Sequence, residues 1–189
     1  MWPSSLLSWA LLGGLVAGQA PARFTPSVSK HLNVVYGSKA VKPPGTSFTK
    51  AETARIPTFG LNETLTGTYL FIMIDLDVQL GTGGARQPLL HAMIRDVKAT
   101  GQTHAGGFAI LGSTQNGPSS YFGPSPPAER PPYPHSYVFL LYEQPAGFAV
   151  PASQRQTVSS RFNFNMAAFA QAANLTVPLA GNYLNVTGV

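Results

Sequence analysis

The 189-residue sequence contains no cysteine. That excludes a disulfide framework and any zinc site built on thiolates, so packing alone must hold the fold. Charge is scarce too: 12 Lys and Arg stand against 7 Asp and Glu, a net charge of +5. The basic residues are scattered, with no cluster and no aromatic interleaving, which excludes a nucleic-acid-binding surface. A weakly basic chain of this kind attracts anionic small molecules or lipid headgroups through its general field. Long apolar runs are missing as well. Residues 6–16 form the strongest one, well short of the roughly 20 residues needed to cross a bilayer, so no transmembrane span is predicted. The Gly-x-Ser-x-Gly elbow, the Walker loop and His-Glu-x-x-His are all absent. Ser27-Val-Ser-Lys30 matches Ser-x-x-Lys without its companion motifs and carries no reading. No cofactor and no metal are expected. The one Asp-x-Asp pair, Asp75-Leu-Asp77, lacks the further oxygen ligands a hard cation needs.

What is present begins with a leader. Residues 6–16 are apolar, the small Ala17 and Gly18 follow, and the first charged side chain is Arg23. This predicts a secretory signal peptide over residues 1–18, leaving residues 19–189 as a single domain long enough for a sizeable core. The predicted localisation is therefore the secretory pathway or the exterior. Asn62, Asn174 and Asn185 stand in Asn-x-Ser/Thr sequons and become candidate glycosylation sites.

Strand signals dominate the rest. The run at residues 69–74 (Tyr-Leu-Phe-Ile-Met-Ile) is apolar throughout, which suits a central strand covered on both faces. Residues 32–36, 89–94, 107–111, 137–142 and 181–186 repeat the strand-forming composition between Gly, Pro and Asn punctuation. Between residues 117 and 134 seven prolines remove backbone donors, so this stretch is predicted to be a stiff surface loop. One helix is predicted, over residues 164–173 with Asn163 as its cap. The fold class is mostly β with few helices.

The candidate site residues follow from this placement. Asp75 ends the strongest strand, where a carboxylate can face a cleft. Two like charges resist joint burial, so the strand is expected to turn there and only one acid to line the site. His91 interrupts an apolar strand; neutral, beside an Asp, it supplies a donor for a phosphate or carboxylate. His135 and Tyr137 lie two residues apart at a strand start and so face the same way.

These elements, in this order, resemble the phosphatidylethanolamine-binding protein family. The family's first signature has Asp-Pro-Asp at the end of a central strand, and this chain has Asp75-Leu76-Asp77. A histidine opening an apolar strand is matched by His91. The second signature, Tyr-x-Gly-x-Gly-Pro-Pro followed by His-Arg-Tyr and an apolar strand ending Tyr-Glu-Gln, is matched by Tyr121-Phe-Gly123-Pro-Ser125-Pro126-Pro127, His135-Ser136-Tyr137 and residues 138–144. The departures are Leu76 for proline, Ser125 for glycine, Ser136 for arginine, and a longer, proline-rich stretch before His135. The resemblance implies an antiparallel β-sandwich with a C-terminal helix and a small anion-binding pocket lined by Asp75, His91, Tyr121, Gly123, Pro126, His135 and Tyr137. It implies a binder of a phosphate- or carboxylate-bearing small molecule or lipid headgroup, serving a fungal secondary-metabolite pathway. An alternative is an enzyme of the maleidride type that dimerises maleic-anhydride polyketide units, with His91, His135 and Tyr137 as candidate catalytic groups and a partner biosynthetic enzyme. A further alternative is a secreted carboxypeptidase inhibitor acting through residues 19–29.

Overall fold

The structure is a computed structural model that describes residues 18–81 and 83–189. Apart from Gly18, the predicted leader lies outside the described residues. Among the described residues there are ten strands: β1 (Asn33–Tyr36), β2 (Lys39–Ala40), β3 (Thr46–Phe48), β4 (Thr58–Leu61), β5 (Tyr69–Gln79), β6 (Arg86–Thr103), β7 (Ala109–Gly112), β8 (Pro118–Ser119), β9 (Pro134–Glu143) and β10 (Ala180–Thr187). A short 3-10 turn, Ala152–Gln154, leads into helix α1 (Arg155–Ser160), and helix α2 spans Met166–Ala172.

The strands form one curled sheet in the order β2-β1-β4-β7-β6-β5-β9-β10-β3, with β8 added on β6. Pairing is antiparallel except between β10 and β3. The apolar run at the start of β5 is explained by alternation: successive side chains point to opposite faces, and here both faces are buried. Tyr69, Phe71 and Met73 enter the core inside the curl with Phe59, Phe139 and Leu184. Leu70, Ile72 and Ile74 pack outward under Phe164, Met166 and Phe169. Close approach between β4 and β7 requires glycine at position 60, where a Cβ would lie 1.9 Å from the Ala109 carbonyl oxygen.

Two expectations are corrected. The predicted helix starts later, because its cap is Asn165, whose side chain accepts from the Ala168 N–H, while Asn163 holds a left-handed backbone at φ 54°. Helix α1 was missed because Val158 is its only buried side chain, too little to print a helical period on the sequence.

Candidate functional site

Four of the predicted residues converge at one end of the inner core face. Asp75 lies opposite Tyr137 in the β5–β9 register, and His135 is two residues before Tyr137 on the same face of β9. His91 arrives by a different device. The β5–β6 register shifts between Met73 and Ile74, which pair with Ala92 and Leu90, so His91 is the extra residue of a bulge. Bulges re-aim side chains. The His91 main chain bonds outward, its carbonyl accepting from Phe122 N–H at 2.8 Å and from the Arg161 guanidinium at 3.2 Å. Its ring stacks on Phe122 and stands edge-on to Tyr137, each at 5.1 Å between centroids.

The expected turn after Asp75 does not occur. The strand runs on to Gln79, and Asp75 and Asp77 are both buried. Joint burial is possible because each carboxylate has its own cation and its own backbone donor. Asp75 Oδ1 accepts from the Asp77 N–H at 2.8 Å, and Oδ2 lies 2.9 Å from His135 Nδ1. Asp77 Oδ2 accepts from Arg23 at 2.7 Å and from the Ser136 N–H at 2.8 Å. Arg23 also donates to Ser136 Oγ at 3.3 Å. A guanidinium from the N-terminal segment thus comes to the position where the family signature carries arginine and this chain has Ser136. Residues 19–29 are consequently folded back on the protein, with Gln19 N–H also donating to the Val28 carbonyl.

The proline-rich stretch supplies a group that sequence reasoning did not single out. Glu129 Oε1 lies 3.0 Å from His135 Nε2, and its two oxygens accept from Arg86 at 3.2 and 2.6 Å. Arg86 donates as well to the Asp77 carbonyl at 2.7 Å, and its guanidinium stacks 3.5 Å over the Tyr133 ring. The loop is seated on the C-terminal strand: a Cβ at Gly188 would fall 1.8 Å from the Pro127 carbonyl oxygen. As a result Asp75, His91, His135 and Tyr137 are each at most 2% exposed. The anion position expected of an open pocket is closed over by Glu129.

Proton placement follows from the partners. With carboxylates on both sides, each ring nitrogen of His135 must donate, which describes the imidazolium. Burial alone pulls its pKa down, but hydrogen bonds and charge from Asp75, with Glu129, outweigh that and raise it. His91 is the opposite case. Its Nδ1 sits 2.6 Å from the Phe122 carbonyl and therefore carries the hydrogen, leaving Nε2 as an acceptor 4.0 Å from Asp75 Oδ2. Burial depresses its pKa despite the nearby acceptor groups. The expectation that neutral His91 donates to an anion is thereby reversed: it presents a basic lone pair. The Tyr137 phenol is pushed far up by burial and then by Asp75, so it stays a hydroxyl donor. His91 Nε2 is buried without a hydrogen-bond partner, and the buried Tyr137 hydroxyl faces Asp75 without reaching a hydrogen bond of ordinary geometry.

The remaining predicted residues lie nearby in supporting positions. The Tyr121 hydroxyl donates to the Thr53 carbonyl at 2.7 Å and lies 3.0 Å from the Tyr36 hydroxyl. Gly123 passes so close to Thr53 that a Cβ would fall 2.8 Å from its carbonyl oxygen, and Pro126 is buried beneath the loop. Of the sequons, Asn62 and Asn174 are exposed. Asn185 lies in β10 and donates to the Gly45 carbonyl, a poor position for a glycan. Among the described residues no helix is long and apolar enough to cross a membrane.

The two histidines give stability a defined pH dependence. Depressed His91 lets the unfolded chain take up a proton before the native state does, so stability falls as pH drops below its ordinary value of 6.5. Raised His135 contributes fully below 6.5, and that contribution is lost as pH rises through its folded value. Glu129, held down to about 2 by Arg86 and then His135, adds a separate loss as pH falls from 4.5. Calorimetric melting temperatures are expected to peak near pH 6.5, and His135→Gln to remove the alkaline limb.

A profile of the phosphatidylethanolamine-binding protein family matches residues 21–184. Phomoidride biosynthesis cluster protein N of Talaromyces stipitatus is 30% identical, covering 87% of this chain and 88% of that one. A 26 kDa secreted antigen of Toxocara canis is also 30% identical, covering 90% of this chain and 62% of that protein. Among solved structures, a carboxypeptidase Y inhibitor complexed with its cognate proteinase superposes with a TM-score of 0.64 at 22% identity, over 86% of this chain and 85% of that one. That likeness is one of fold. With the family profile spanning most of the sequence, the chain belongs to the phosphatidylethanolamine-binding protein family.

Proposed function

We propose that this protein binds a carboxylate-bearing small molecule at the site formed by Asp75, His91, His135 and Tyr137, with Arg86 as its anchoring cation. The observation that carries this reading is the buried pair of unpartnered groups, the His91 Nε2 acceptor and the Tyr137 hydroxyl donor, beside a histidinium and a guanidinium. Buried polar groups are ordinarily satisfied, and a ligand offering one acceptor edge and one proton would satisfy both. Charge-assisted hydrogen bonds from Arg86 and His135 would hold the anionic end. The likeness to a phomoidride-cluster protein supports a ligand from secondary metabolism, and the secreted antigen relative agrees with the secretory reading of the leader.

A second reading, catalysis, is favoured by one specific feature. The neutral His91 lone pair is poised as a proton acceptor, and the Tyr137 hydroxyl as a donor to developing negative charge. This arrangement suits proton abstraction next to a carbonyl, as a dimerisation of alkyl maleic anhydrides requires. Incubation of the pure protein with such an anhydride, followed by mass spectrometry, tests it; dimer no higher than background argues for binding alone.

Binding itself is tested by thermal shift. An alkyl maleate is expected to raise the melting temperature more than phosphoethanolamine does. His91→Ala and His135→Ala are each expected to abolish the shift. Undiminished shifts in both variants would place the ligand elsewhere.

A further inference from the structure

Glu129 stands between two environments. On its outer side it lines, with Arg86, Tyr133 and Gln79, an open cleft of about 850 Å³. On its inner side it meets His135, behind which lie the unpartnered His91 Nε2 and Tyr137 hydroxyl. Its carboxylate is held as a bound carboxylate would be held, gripped by two guanidinium nitrogens and one imidazole nitrogen. The residues around it are less committed. Ala128, Arg130, Pro131 and Pro132 are exposed, and Ala128 is fixed by its bridge to Gly188, so the Glu129 side chain can turn into the open cleft while the backbone stays in place.

We propose that Glu129 is a resident carboxylate: it fills the anion position made by Arg86 and His135, and an external carboxylate enters by displacing it and taking over both partners. The inference rests on the carboxylate-binding reading given above and adds how the closed site is entered and which residue sets its threshold. A tethered carboxylate competes at an effective concentration on the order of millimolar or more, so a free ligand meets a site that is mostly self-occupied. The longer proline-rich stretch before His135 is then the part of the chain that raises the affinity a ligand must have. Arg86 is the specificity residue, since its planar fork already grips a carboxylate at two points.

The test is calorimetric titration of the processed full-length protein with 2-hexylmaleate near pH 6.5, comparing wild type, Glu129→Ala, Glu129→Gln, Arg86→Ala and Glu143→Gln. Glu129→Gln keeps the shape and guards against a folding defect in the alanine variant. Glu143→Gln removes the same charge at the far end of β9, opposite Tyr69, and controls for the general field. Both Glu129 variants are expected to bind about tenfold or more tightly than wild type, Glu143→Gln to match wild type, and Arg86→Ala to lose binding. A readout specific to occupancy comes from the His135 imidazole nitrogens. His135 is faced by Asp75 and Asp77 from β5, by Glu129 with Arg86 behind it, and by Tyr137 on its own strand, with His91 across the site. Loss of Glu129 is expected to lower its pKa, and saturating 2-hexylmaleate to restore it. Equal or weaker binding by both Glu129 variants, with wild type still binding, overturns displacement and leaves the carboxylate site standing. Absence of binding in every folded protein overturns both.

Discussion

Asp75→Ala is expected to destabilise the protein by about 3–5 kcal/mol and to abolish carboxylate binding, because it breaks a buried ion pair from one side. The Asp75 carboxylate is 2.8 Å from the Asp77 N–H and 2.9 Å from His135 Nδ1, and both donors lose their acceptor in a place water does not reach. Each such loss costs about 1–3 kcal/mol before the stranded histidinium is counted. Asp75→Asn should cost less. Its amide oxygen can still accept from Asp77, and His135 can adopt the neutral tautomer that donates to Glu129 alone. The price is the His135 charge, so the alkaline limb of the stability profile should vanish with it. A surface pair makes the contrast. Lys39 and Glu52 lie 3.0 Å apart with side chains 42% and 37% exposed, and breaking that solvent-screened pair should leave stability nearly unchanged. Denaturant unfolding of the three variants measures the difference directly.

Phe139→Ala is expected to cost about 3–5 kcal/mol as well, through a cavity instead of a charge. Phe139 is fully buried at the centre of the inner core, its ring 6.2 Å from Phe71 and 6.5 Å from Tyr36. It also lies two residues beyond Tyr137 on the same face of β9, so the space it vacates opens behind the Tyr137 ring. Binding should weaken along with stability, whereas Leu140→Ala, on the opposite face of the same strand, should destabilise with a smaller effect on binding. Paired unfolding and titration curves for the two variants separate these effects.

The sheet was legible in the sequence where apolar residues set the period. The 69–74 and 137–142 runs each fall inside an observed strand, because covering both faces leaves a continuous apolar signature, and residues 181–186, with Asn182 and Asn185 interleaved, fall inside a third. The four central residues stand in the motifs that resemble the family's signatures, and the structure brings them together: strand alternation places His135 with Tyr137, and the register places Tyr137 opposite Asp75. What escaped are the residues that reach the site by tertiary closure. Arg23 meets Asp77 across 54 positions, Glu129 meets Arg86 across 43, and Arg161 meets the His91 carbonyl across 70. No local pattern marks any of them. The expectation that Asp75 and Asp77 could not both be buried was sound for the pair in isolation. It failed because each acid acquires a separate cation from a distant segment. The one sequence signal that pointed to Glu129 was the departure from the family pattern before His135, which marked the loop without naming the residue.

In the proposed complex an external carboxylate is held by His135 and sensed by His91. The most direct test is titration of the ¹⁵N-labelled protein with 2-hexylmaleate while the imidazole nitrogens of both histidines are followed by NMR. Saturable shifts are expected at Nε2 of His91 and of His135 with one common dissociation constant, His135 remaining protonated throughout. Saturable binding seen by calorimetry with neither pair of imidazole signals moving would contradict it.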